Sequence, residues 1–114
     1  MSITVKSGRD EEGRLVVELI DSELAYETME QLIEILSEKF SVKIKDKADG
    51  IDERIWFVLI KGKKFYIEYD SMVGFDIIPA KTGYDSLSEE IKEHLETEVK
   101  KGANSGPDRN SQKV

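Results

Sequence analysis

The sequence predicts an α+β fold: a single antiparallel sheet of about six strands, order ββαββββα, with two helices covering one face. Three observations support this. Short runs at residues 3–5, 14–20, 41–45, 54–60, 64–69 and 75–78 are rich in β-branched and aromatic residues or alternate in polarity, as strands do. Two segments, beginning near residues 22 and 86, instead place apolar residues three and four apart, the period of a helix with one buried stripe. The connections between the last four strands are short and turn-rich, which favours an antiparallel meander.

Taken in order, Ile3 and Val5 alternate in the opening strand, and a polar connection over residues 7–13 leads into RLVVELI to complete a hairpin. Asp21 or Ser22 offers a capping oxygen for a first helix that runs to about Lys39. Its core stripe holds Ala25, Met29, Leu32, Leu36 and Phe40, with Tyr26 and Ile33 at the edge. Residues 41–45 alternate as a half-buried strand. After the turn-rich 46–52, RIWFVLI is apolar on both faces and is expected at the centre of the sheet, with Trp56 buried. Turns at residues 61–63 and 70–74 join it to KFYIEY and FDII. A loop over 79–85 precedes Ser86 and Glu89, an S-x-x-E capping box opening a second helix through Leu87, Ile91, Leu95 and Val99. One domain over 1–100 and a disordered tail over 101–114, rich in Gly, Asn and Ser, complete the reading.

Composition removes several chemistries. The 114 residues suffice for one domain with a substantial core. Cysteine is absent, so disulfides, thiolate metal sites and thiol nucleophiles are excluded, in keeping with a reducing compartment. The first residues lack a signal-peptide stretch and no apolar run reaches membrane-spanning length, so a cytoplasmic location is expected. Net charge is −7, and the tail holds three basic residues against one acidic, so residues 1–100 carry −9. Such a field repels phosphate backbones and anionic lipid surfaces and speeds encounter with basic proteins.

The most informative feature is a row of glutamates, Glu23, Glu27, Glu30, Glu34 and Glu38, which at about 100° per residue fall within roughly an 80° arc of the first helix. No lysine or arginine interrupts the arc, so the face is open to solvent or to a cationic partner. These glutamates, with Tyr26 as a rim aromatic, are the expected partner-binding residues. Other constellations read as structural. His94 is the only histidine and is expected at the solvent edge of the second helix, without a partner for acid–base work or a metal. Asp70 and Asp76 lack calcium-loop spacing and are read as strand-end turn residues; Lys61-Gly-Lys-Lys is a hairpin turn, not a phosphate loop; Ser71 lacks a nucleophile elbow. No catalytic residue, metal or cofactor is expected. The aromatics Trp56, Phe57, Phe65, Tyr66, Tyr69 and Phe75 are mostly core, although either Tyr66 with Glu68, or Phe65 with Ile67 and Tyr69, could line the open sheet face.

The stretch IWFVLIKGKKFYIEYDSMVGFDII, followed by a polar loop and SLSEEIKEHLETEV, resembles in layout the small acidic immunity proteins of bacterial toxin and immunity systems. The likeness covers about residues 54–99, and no functional residue carries over from it. It implies a single α+β domain that binds and neutralises one cognate toxin; separately, a monomer or homodimer is expected. The first hypothesis is therefore a non-catalytic inhibitor of a basic protein, such as a nuclease toxin. A second is a secretion-chaperone-like or regulatory module that holds a segment on its sheet face. A third, an enzyme, would need a concave site with a desolvated carboxylate pair.

Overall fold

The computed structural model describes residues 3–20 and 24–104, with side chains through Lys101. Its elements are β1 (Thr4–Arg9), β2 (Leu15–Ile20), α1 (Thr28–Ser37), β3 (Val42–Asp49), β4 (Glu53–Ile60), β5 (Lys63–Asp70), β6 (Gly74–Pro79) and α2 (Asp85–Asn104). All neighbouring strands are antiparallel, in the order β1-β2-β6-β5-β4-β3. The predicted fold class and element order are those observed.

Strand alternation decides which face is covered. Val17 and Leu19 of β2, Trp56, Val58 and Ile60 of β4, Phe65, Ile67 and Tyr69 of β5, and Phe75 and Ile77 of β6 are all buried. They form one cluster with Met29, Leu32 and Leu36 of α1 and Leu87, Ile91 and Leu95 of α2. Both helices therefore cover the same face. The register question left open by the sequence is thereby answered: Phe65, Ile67 and Tyr69 point inward, and Tyr66 and Glu68 lie on the open face, half-buried.

β4 is interior but not central. It lies between β5 and the edge strand β3, and the middle of the sheet is β6 and β5. Trp56 is nevertheless only 1 % exposed. β3 runs to Asp49, further than alternation suggests, because Asp46, Lys47, Ala48 and Asp49 continue the ladder past a bulge at Lys45. A bulged, lysine-rich edge discourages pairing with another chain.

Two glycines serve the turns. Lys61 and Gly62, at φ of 52° and 79°, form the two-residue hairpin turn between β4 and β5. Gly74 has φ of 116°, and a Cβ there would collide with the Leu19 carbonyl, so it lets the β6 backbone close on β2.

Helix boundaries differ from expectation. α1 begins at Thr28, with residues 26–27 in a turn; Asp21 and Ser22, the expected caps, lie outside the described residues, as does Glu23. Glu27 occupies the N-cap position without a side-chain cap. α2 begins at Asp85, so Ser86 sits inside the first turn instead of capping it, and the helix continues to Asn104.

Candidate functional site

The outer face of α1 is built from glutamates in three different situations. Glu27 and Glu34 are exposed and make no ion pair or side-chain hydrogen bond among the described residues. Glu30 is held from the sheet: Arg54 donates from Nη1 to Oε1 at 3.1 Å and from Nη2 to Oε2 at 2.9 Å. Arg54, 5 % exposed, also donates to the Tyr26 carbonyl at 2.8 Å and to both Asp49 oxygens at 2.9 and 3.2 Å. Its guanidinium lies over the rings of Tyr26 and Trp56, at 4.3 and 4.8 Å from their centroids. These hydrogen bonds hold the Glu30 and Asp49 carboxyls below their ordinary range and raise the guanidinium further.

The expected uninterrupted acidic stripe is thus interrupted by a strand residue. Arg54 neutralises Glu30 and fixes the start of α1. Tyr26, the expected rim aromatic, is half-buried, with Arg54 over its ring and Tyr69 edge-on at 6.2 Å. Sequence reasoning missed Arg54, yet a signal existed: it falls in phase with the buried Trp56, Val58 and Ile60, and a charge on a core-facing phase must find partners.

The fourth described glutamate, Glu38, caps the C-terminal end of α1 and lies 3.8 Å from His94 Nε2. His94 is not at the solvent edge. Its side chain is 11 % exposed, edge-on to Phe40, and Nε2 donates to the Ile35 carbonyl at 2.8 Å, linking the two helices. Glu38, His94 and Glu98 bring their ligand-type atoms within 4.8 Å of one another. The nitrogen beside Glu38 is engaged as a donor to a carbonyl, and Glu98 is paired with Lys101 at 3.1 Å, so the cluster acts as an interhelical strap. Next to it, an apolar groove of about 290 Å³ opens between α1 and α2, lined by Leu24, Leu32, Ile35, Leu95 and Val99 and edged by Gln31.

The open sheet face carries a second acidic feature. Glu18, Asp76 and Glu68 are direct cross-strand neighbours on β2, β6 and β5, and Glu53 pairs with Asp70 one row away. Like charges placed directly opposite destabilise a sheet. Burial, then Glu18 and Glu68, push the Asp76 carboxyl up to about 6. Lys6 reaches Glu18 at 4.0 Å. Asp70 is a turn residue as expected, its Oδ1 accepting from the Met72 amide at 2.7 Å, but Asp76 lies within β6 and faces its acidic neighbours. A cavity of about 210 Å³ opens beside Glu53, Glu68, Asp70 and Asp76.

No protein-family model, curated protein or solved structure matches this chain. Its chemistry is therefore read from its own geometry: two acidic surfaces on opposite sides of the sheet, one on a helix clamped by Arg54, the other on the central strands. No helix is long and apolar enough to cross a membrane among the described residues.

Proposed function

We propose that this protein is a non-catalytic binding protein that neutralises a basic protein, most concretely a toxin whose cationic cleft otherwise holds nucleic acid, in the manner of the small acidic immunity proteins it resembles. The observation that carries this reading is the outer face of α1, where Glu27 and Glu34 stand exposed and without ion pairs among the described residues, on a helix that Arg54 ties to the sheet. Carboxylates on a rigid helix can occupy the positions of substrate phosphates, and a net charge of −7 steers a basic partner toward them. The fixed scaffold limits the ordering cost on binding.

The test is co-expression with the protein encoded by the adjacent gene. A toxic product whose toxicity is relieved by the wild-type chain, and not by Glu27→Gln/Glu34→Gln, supports the reading. An adjacent product without toxicity, or relief indifferent to the double change, defeats it.

A second reading places the partner on the open sheet face, as a chaperone-like module would. The row Glu18, Asp76 and Glu68 favours it, because a cationic segment laid across these strands would relieve their mutual repulsion. Binding lost in Glu68→Gln/Asp76→Asn and kept in the helix double variant would select this surface.

A further inference from the structure

We propose that the groove between α1 and α2 receives one apolar side chain of the basic partner, while Glu27 and Glu34 receive the lysines or arginines beside it. The inference rests on the binding function proposed above and names how the partner is recognised. Leu32 and Leu95 are 2 % exposed and form the floor; Leu24, Ile35 and Val99, half-buried, stand at the mouth. Gln31 and Glu98 edge the groove, and helical spacing puts Glu27 and Glu34, the i−4 and i+3 neighbours of Gln31, on the Gln31 side of α1. An apolar centre with a charged rim is the arrangement in which a single anchor contributes most of the affinity and the rim sets encounter and register.

Size and charge select the occupant. At about 290 Å³ the groove lies at the lower end of small-molecule sites, which run from about 300 to 1,000 Å³, and Gln31 at its edge is exposed. A single leucine- or phenylalanine-sized side chain suits it. A second copy of the chain would bring one acidic α1 against another at a net charge of −7 each, which opposes association. The sequence after Asn104, SGPDRNSQKV, has almost no apolar residue to offer.

The probes are two synthetic helix-forming peptides of lysine and alanine, one with a central leucine and the other with alanine in its place. Each is titrated into the full chain while the methyl resonances of Leu24, Ile35 and Val99 are followed by NMR. The leucine peptide should shift these methyls and bind at least about tenfold more tightly than the alanine peptide, as expected of an anchor. Val99→Gln should abolish that preference. Ile35→Gln, judged folded by its retained amide spectrum, provides the same test if Val99→Gln does not fold. Equal, salt-sensitive binding of both peptides that is lost in Glu27→Gln/Glu34→Gln overturns the anchor site and leaves the acidic-face reading standing. Binding of neither peptide overturns both. Methyl shifts that track protein concentration, with dimers in sedimentation, would assign the groove to a second copy and overturn the proposal.

Discussion

Arg54 of β4 closes a two-point ion pair on Glu30 of α1, with Nη1 to Oε1 at 3.1 Å and Nη2 to Oε2 at 2.9 Å. The pair sets Glu30, which holds the fold, apart from Glu27 and Glu34, which are left to meet solvent or a partner. Planar, forked geometry is what arginine supplies and lysine does not. Arg54→Lys should therefore cost about 2 kcal/mol in denaturant unfolding, because Asp49, Glu30 and the Tyr26 carbonyl cannot all be reached by one ammonium. Glu30→Gln should cost about 1 kcal/mol, modest because its carboxylate is 56 % exposed. Glu27→Gln/Glu34→Gln should leave stability unchanged or slightly higher. If all of these variants unfold alike, the division is wrong.

Trp56 couples to the same cluster. Its indole N–H donates to Asp49 Oδ1 at 2.8 Å, Lys47 lies over the ring at 4.2 Å, and the side chain is 1 % exposed. Trp56→Ala should lose about 3 to 5 kcal/mol. Fluorescence of the folded protein should resist acrylamide; ready quenching would contradict the burial.

Asp76 gives a pH signature of the opposite sign to Glu30 and Asp49. Its carboxyl titrates near 6 in the folded chain, above the ordinary value of 3.8, so the fold favours the protonated form. That stabilisation is complete below the unfolded value and is lost as pH rises through about 6. The depressed carboxyls of Glu30 and Asp49 contribute above the ordinary range and lose their contribution as pH falls through their lowered values. Asp76→Asn should thus gain about 1 kcal/mol at neutral pH, after allowance for solvent screening at a half-buried site, and little near pH 4. An equal effect at both pH values would contradict the assignment.

Ser88 of α2 is fully buried, and its hydroxyl has no hydrogen-bond partner among the described residues. Ser88→Ala removes an unsatisfied polar group and improves helix propensity, so it should stabilise by up to about 1 kcal/mol. A loss of similar size in thermal unfolding would show that the hydroxyl is bonded in solution.

Periodicity made the element order legible, since each strand and helix has an apolar phase that can be counted along the chain. It also located Glu27 and Glu34 on one face of α1. The helix start was not legible, because the Tyr26 carbonyl accepts from Arg54, 28 residues away, and residues 26–27 form a turn. His94 was misplaced for the same reason: its bond to Ile35 belongs to the packing of α2 on α1. The acidic row on the open face depends on β2 pairing with β6, so Glu18 and Asp76, far apart in sequence, become neighbours only through topology.

The most direct test of the binding account is the association rate with the proposed basic partner, taken from the product of the adjacent gene, measured by stopped flow for wild type and Glu27→Gln/Glu34→Gln across a salt series. The account predicts a slower association for the double variant at low salt, a wild-type rate that falls toward it as salt rises, and a smaller change in dissociation. Equal association rates and affinities at low salt would contradict it and leave α1 a solvated face.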